Sequence, residues 1–129
     1  MKNRPISLLK NIKNIAVVGA SANPDRDSYK VMKFLINYGY NIYPVNPNES
    51  KILGRKSYPS LKKIKENIDM VDIFRAEEFI LEITKEAIEI DAKILWMQEG
   101  IINDEAAYLG RSSGLEVIMN KCPMKILQA

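Results

Sequence analysis

Ile15-Ala16-Val17-Val18-Gly19-Ala20-Ser21-Ala22-Asn23-Pro24-Asp25-Arg26-Asp27-Ser28 is the stretch on which the reading of this chain turns. It opens with an apolar run without alternation, as expected of a strand covered by helices on both faces. Gly19 ends the run and a polar loop follows. Ser28 then stands as an N-cap ahead of Val31, Met32, Leu35 and Ile36, which recur at helical spacing. Gly39 closes that helix where a left-handed cap is wanted. A strand, a glycine turn and a helix in immediate succession begin a βαβ unit, and the turn is a natural anion site because the first helical N–H groups point into it.

The same alternation runs outward from this stretch. Ile6–Lys13 reads as a leading helix and Asn41–Val45 as a second strand. Pro44 lacks the N–H that an interior ladder needs, so pairing is expected to weaken or bulge there. Residues 46–58 form a polar, turn-rich excursion carrying Lys51, Gly54, Arg55 and Lys56. Ser60 caps a short helix through Lys65, and Met70–Phe74 is a third strand. Glu77–Ile90 is the clearest helix, with Phe79, Ile80, Ile83, Ala87 and Ile90 on one face. Ile94–Met97 is a fourth strand, Asn103 caps a helix that Gly114 closes, Glu116–Met119 is a fifth strand, and Cys122-Pro123 begins the tail. The pattern predicts an α/β fold, a Rossmann-like three-layer sandwich with a five-stranded, mainly parallel sheet, in one domain over residues 1–129. Ligands of such sheets bind at the carboxyl ends of the strands, where the strand order reverses. The loops collected there are 19–28, 45–58, 74–77, 98–102 and 120–123.

Composition narrows the chemistry. A chain of 129 residues, 47% of them hydrophobic, can bury a core of its own. It has no histidine, which removes the commonest general base and metal ligand and any phosphohistidine intermediate. Cys122 is the single cysteine, so there is no intrachain disulfide and no cysteine–histidine dyad, and no metal site is expected. A net charge of +3 without a basic run or basic–aromatic repeat points away from nucleic acid. No signal-peptide pattern and no apolar run near the roughly 18 residues of a membrane span are found, so a cytoplasmic, non-membrane protein is expected.

The first loop lacks the three glycines of the dinucleotide fingerprint, yet Gly19 permits close backbone approach and Ser21 and Ser28 offer hydroxyls. An NAD site wants an acid after the second strand to accept from the ribose 2′-hydroxyl. Val45-Asn46-Pro47 supplies none before Glu49. Lys51, Arg55 and Lys56 suit a phosphorylated ribose instead, which leaves coenzyme A, with its 3′-phosphate, or NADP. Asp72, inside the third strand, is costly unless paired, with Arg75 or a backbone N–H as its expected partner. Phe74 and Arg75 end that strand, and Gln98 and Gly100 close the fourth.

Gly19-Ala20-Ser21 with Asn23-Pro24, then Arg26 and Ser28-Tyr29, resembles the CoA-binding protein family. These are small stand-alone proteins related to the CoA-binding domains of succinyl-CoA synthetase and of ADP-forming acyl-CoA synthetases. Tyr43–Pro47, Met70–Arg75, Trp96–Gly100 and Cys122-Pro123 match in order, so the resemblance covers Ile15 to Pro123. It implies that Gly19, Ser21, Asn23, Arg26 and Ser28 meet the pyrophosphate and adenosine phosphate, with Ala20 and Tyr29 in the same motif. Asn46 and Pro47 are then the adenosine edge, and Phe74, Arg75, Gln98 and Gly100 line the channel for the pantetheine arm. Arg26, Arg55 and Lys56 are the candidates for the ribose phosphate. Cys122 falls on the rim where the thiol end of the arm would arrive, which raises the expectation of a mixed disulfide with CoA; the opposite reading is a buried apolar cysteine. Asn120-Lys121 departs from the Asp-Arg expected before the Cys-Pro pair, which leaves open how Cys122 is held.

The synthetases so resembled use a phosphohistidine, and a chain without histidine is no complete ligase of that kind. The expectation is therefore CoA binding without catalysis, alone, as a homodimer, or as a non-catalytic subunit completed by a partner enzyme. The alternative is an NADP-dependent reductase, for which the chain leaves little room for a substrate domain.

Overall fold

The computed structural model describes residues 4–129. Its elements are α1 (Arg4–Lys10), β1 (Asn14–Val18), α2 (Asp27–Tyr38), β2 (Asn41–Val45), β3 (Lys51–Ile52), β4 (Arg55–Lys56), β5 (Met70–Ile73), α3 (Ile80–Glu89), β6 (Ile94–Met97), α4 (Asp104–Ser112), β7 (Glu116–Ile118) and α5 (Pro123–Gln128). Five strands form one sheet in the order β2-β1-β5-β6-β7, and every pairing is parallel. The chain winds outward from β1 to β2, returns to the other side of β1 at β5, and continues to β7. The order therefore reverses between β1 and β5, and a crevice opens there at the strands' carboxyl ends.

Side chains alternate strictly across this sheet. Ile15 and Val17 face one way with Met70, Ile94 and Trp96, under Leu9 of α1, Met32 and Leu35 of α2, and the apolar side of α5. Ala16 and Val18 face the other way with Val71, Ile73, Leu95 and Met97, under Ile80, Ile83 and Ala87 of α3 and Ala106 and Ala107 of α4. Three layers result. The apolar runs of β1 and β6, and of β5 apart from Asp72, follow from burial on both faces.

Several local expectations meet a physical correction. Pro44 neither bulges nor weakens β2: the register with β1 is continuous, Val17 opposite Pro44. β2 is an edge strand, and the Pro44 carbonyl accepts from the Tyr58 N–H on the outer side, 2.9 Å away. The missing N–H therefore faces outward and costs the β1 ladder nothing. Ser28 is not the cap of α2. Arg26 takes that place with extended backbone, because its own N–H closes a turn onto the Asn23 carbonyl and its carbonyl accepts from Lys30. Ser28 is buried in the first helical turn. The 46–58 excursion contains the β3–β4 hairpin, turned by Leu53 and Gly54, both at positive φ as a type I′ turn requires. The helix expected after Ser60 is a single 3-10 turn, Leu61–Lys63, and the Glu77–Phe79 segment is likewise 3-10 ahead of α3. Gly39 caps α2 at φ 122, Asn103 accepts from the Ala106 N–H at 2.9 Å to cap α4, and Gly114 ends α4 at positive φ, all as read from the sequence.

Two aspartates on β5 and its approach show opposite solutions to burial. Asp69 is partly buried, which opposes its charge. The Asn14 and Lys13 N–H groups at 2.9 and 3.0 Å and the Lys93 ammonium more than offset this and hold its carboxyl below the ordinary value. Asp72, between Val17 and Trp96 in the sheet, has no solvent exposure and neither oxygen has a protein hydrogen-bond partner. The expected pairing with Arg75 or a backbone N–H is thus absent. Burying an unpaired neutral polar group costs about 1–3 kcal/mol, whereas an isolated carboxylate costs far more, so the neutral acid wins. Burial alone pushes the Asp72 carboxyl well above its ordinary value.

In the unfolded chain Asp72 ionises near pH 3.9, while in the native protein it keeps its proton to much higher pH. Above pH 4 the unfolded state therefore binds fewer protons, and this group removes up to about 1.4 kcal/mol of stability per pH unit until the native carboxyl ionises. Asp72→Asn should flatten that slope. The difference in Tm between variant and wild type, followed by circular dichroism from pH 4 to 8, should move in the variant's favour as pH rises. A difference independent of pH would show that Asp72 is ionised or paired in the native state.

Candidate ligand-binding site

The crevice at the β1–β5 junction is a cleft of about 500 Å3. Its floor is set by Gly19. This residue has φ 86, and a Cβ there would lie 2.5 Å from the Phe74 carbonyl oxygen and 3.0 Å from Arg75 Cδ. The sequence reading assigned Gly19 to close approach of a ligand. The structure gives it a prior reason, the close approach of the β5 backbone. The Gly19 and Ala20 N–H groups both turn toward the Val45 carbonyl, at 3.3 and 3.4 Å, which ties the first loop to the end of β2.

Side chains shape the loop further. Ser21 Oγ accepts from the Asn23 N–H at 3.0 Å, and Asn23 Oδ1 accepts from the Asp25 N–H at 2.9 Å. Asn46 donates from Nδ2 to the Ala20 carbonyl at 2.8 Å and accepts on Oδ1 from the Asn48 N–H at 2.8 Å. The result is a rigid rim with the N-terminal end of α2 directed at the cleft. The partial positive charge of that helix end and the nearby Arg26 and Arg75 guanidiniums favour an anion, against one local carboxylate, Asp27. Arg75 lies over the Phe79 ring, its guanidinium carbon 4.0 Å from the centroid.

A second chamber of about 320 Å3 adjoins the first, sharing Asp27, Phe74 and Arg75 with it. Gln98, Cys122, Val31, Ile101 and Met124 line it. It is less polar than the first, although Asp27, Lys30, Arg75 and the Glu99–Lys125 ion pair, 2.7 Å apart, border it. Gln98 is buried and its Oε1 has no protein donor. The Glu99 carboxylate, through its hydrogen bond and charge, holds the exposed Lys125 ammonium above its ordinary value, with Cys122 and Asp27 adding to the effect.

The sequence-derived residues divide accordingly. Gly19, Ala20, Ser21, Arg26, Ser28, Asn46, Pro47, Phe74 and Arg75 surround the first cleft, and Phe74, Arg75, Gln98 and Cys122 surround the second chamber. Asn23 stands outside both and acts on loop shape through its hydrogen bonds. Tyr29 and Gly100 are outside both linings; the Gly100 N–H donates to Asn120 Oδ1 at 2.7 Å. Arg55 and Lys56 sit on the β3–β4 hairpin, also outside, with the Lys56 ammonium 5.1 Å from the Tyr58 ring centroid. Phe79 was read on one helical face with Ile80 and Ile83 and is instead 41% exposed at the mouth of the cleft. A 3-10 turn advances side chains by a third of a circle per residue, so the α-helical periodicity that buries Ile80 and Ile83 does not extend back to Phe79.

Comparison with known proteins reads this geometry. A family model described as a CoA binding domain matches residues 13–128. The chain belongs to that family. The CoA-binding domain so identified is 43% identical to the Bacillus subtilis protein YneT over 115 residues, covering 89% of this chain and 85% of that one. A solved structure of a hypothetical protein from Pyrococcus horikoshii OT3 superposes with a TM-score of 0.96 at 38% identity, over 99% of this chain and 90% of the other. The alpha subunit of an ADP-forming acetate–CoA ligase from Pyrococcus furiosus is 38% identical over 96 residues, but the CoA-binding domain described here spans only 21% of that subunit. What the chain shares with such enzymes is a domain. Among the described residues no helix is long and apolar enough to cross a membrane.

The Gly19 contact sets an expectation for substitution. Gly19→Ala brings about 1–3 kcal/mol of strain from the positive φ and roughly 1–3 kcal/mol more from overlap with the Phe74 carbonyl. The expected outcome is a large drop in the urea midpoint with loss of the native fold for Gly19→Val, in place of a folded protein that merely fails to bind. A Gly19→Ala midpoint equal to wild type would place the glycine requirement on a ligand and not on β5.

Proposed function

We propose that the protein binds coenzyme A as a stand-alone module, with the nucleotide in the cleft over Gly19 and the pantetheine arm running past Phe74 and Arg75 into the second chamber. The observation that carries the reading is the adjacency of the two chambers, which share Asp27, Phe74 and Arg75 as lining. The first is polar, faces a helix N-terminus and holds two guanidiniums, which suits phosphates. The second is smaller and less polar, with one unsatisfied buried amide oxygen, which suits a chain of methylenes and amides. Membership of the family supports the same ligand. Ser21, Ser28 and Arg26 are assigned to the phosphates, Asn46 and Pro47 to the adenosine edge, and Gln98 and Cys122 to the far end of the arm. With no histidine in the chain, we assign it no phosphohistidine-dependent ligase step; a ligase activity that uses the bound CoA would belong to a partner chain.

We assign Arg26, exposed at the start of α2 and lining the cleft, to the ribose 3′-phosphate. A charge-assisted hydrogen bond of that kind is worth about 1.5–3 kcal/mol. Calorimetry at moderate salt should find CoA binding roughly 10- to 100-fold tighter than 3′-dephospho-CoA. Arg26→Ala should narrow the gap while sparing the affinity for the dephosphorylated ligand. Equal affinities in the wild type would remove the phosphate assignment, and tight NADP binding without CoA binding would replace the reading with the reductase alternative.

A further inference from the structure

We propose that Cys122 is a thiol–disulfide exchange site, at which the protein captures CoA covalently from CoA disulfide. The inference rests on the CoA reading of the cleft and goes beyond it in assigning a reaction to the second chamber. Cys122 lines that chamber, yet the residue is only 5% exposed, so its sulfur is reached through the chamber and not from bulk solvent. Gln98 supplies an independent sign that something enters. It is 6% exposed, lines the same chamber, and its Oε1 lacks a protein donor. A buried acceptor left unpaired is unfavourable, and the amide N–H groups of a pantetheine arm are donors of the right kind.

Cys122 is also held firmly. Trp96 Nε1 donates to the Lys121 carbonyl at 2.9 Å, and the Cys122 carbonyl accepts from the Ile126 N–H at 3.1 Å, so the residue is fixed on both sides. Trp96 therefore answers how the Cys-Pro pair is positioned when Asn120-Lys121 precedes it.

The reaction balances without a further oxidant. The Cys122 thiol gives its proton to solvent, and the thiolate Sγ attacks one sulfur of the CoA disulfide. The Sγ–S bond forms as the incoming S–S bond breaks, and the second CoA leaves as a thiolate that takes a proton from solvent. Cys122 is oxidised and one CoA is reduced. No other cysteine exists in the chain to resolve the product, so the adduct lasts until an external thiol attacks it. Burial makes the step selective, because a disulfide that the cleft does not seat cannot present its sulfur to Sγ.

Intact-protein mass spectrometry tests this on the whole chain incubated with CoA disulfide, beside glutathione disulfide, with CoA binding measured in parallel by calorimetry. The expected result is a single CoA adduct on the wild type, reversed by dithiothreitol and absent from Cys122→Ala. It should form at least about tenfold faster than the glutathione adduct, since access to the thiol governs the rate. Saturation with a CoA analogue lacking the sulfur should block it, and Gln98→Leu should slow it. A protein that binds CoA in the calorimeter but gains no adduct, or reacts with both disulfides at one rate, overturns the exchange site alone. A protein that binds no CoA overturns the reading beneath it as well.

Discussion

The Gly19 backbone lies so close to the Phe74 carbonyl that a single Cβ would fall 2.5 Å from its oxygen. The contact is made where β1 and β5 leave the sheet. The Phe74 N–H donates to the Val18 carbonyl at 2.8 Å on one side of β1, and Gly19 and Ala20 turn toward Val45 on the other. Three strand ends are thus drawn together by main-chain groups. Their proximity brings Ser21, Asn46 and Arg75, distant in sequence, around one cleft. A bulkier residue at position 19 would push β5 away and open the crevice, so the site and the sheet share one constraint.

On that rigid frame the charge is arranged sparingly. The sheet interior keeps a carboxyl, Asp72, whose burial pushes its pKa well above the ordinary value and so opposes negative charge behind a site suited to phosphates. The cations stand at the mouth. Arg26 is exposed, and Arg75 rests on the partly exposed ring of Phe79, an interaction worth about 0.5–1 kcal/mol at such a site. A phosphate contact is stronger, so a phosphate bound nearby can draw the guanidinium from the ring at small cost. Fixed backbone donors and loosely held cations together suit reversible binding of a polyanion.

The relationship to larger enzymes follows the same division. A domain that spans about a fifth of an acetate–CoA ligase subunit closes its own three-layer core here, with helices on both faces of the sheet. Nothing in that core requires the remainder of the subunit, because both faces of β1, β5 and β6 are covered by helices of this chain. The ligand cleft likewise lies within one set of strand ends. The domain shared with such enzymes therefore has a core and a cleft of its own.

Strand and helix order in the main sheet, the glycine turn after β1 and most of the residues around the first cleft were legible in the sequence, because they depend on local rules. Unbroken apolar runs mark strands buried on both faces, a left-handed glycine ends α2, and Asn103 caps α4. The family resemblance was legible too, since its motifs occupy the loops that such a sheet collects on one side. Other features depended on what lies across the fold. Pro44 is harmless only because β2 is an edge strand, Asp72 lacks a partner because Val17 and Trp96 flank it, and Phe79 is turned outward by a 3-10 start that its own sequence does not announce. Gly19 serves β5 before any ligand for the same reason. Periodicity reports which face of an element is apolar, whereas the neighbour that meets each side chain is chosen by strand order and register, and only the assembled sheet supplies those.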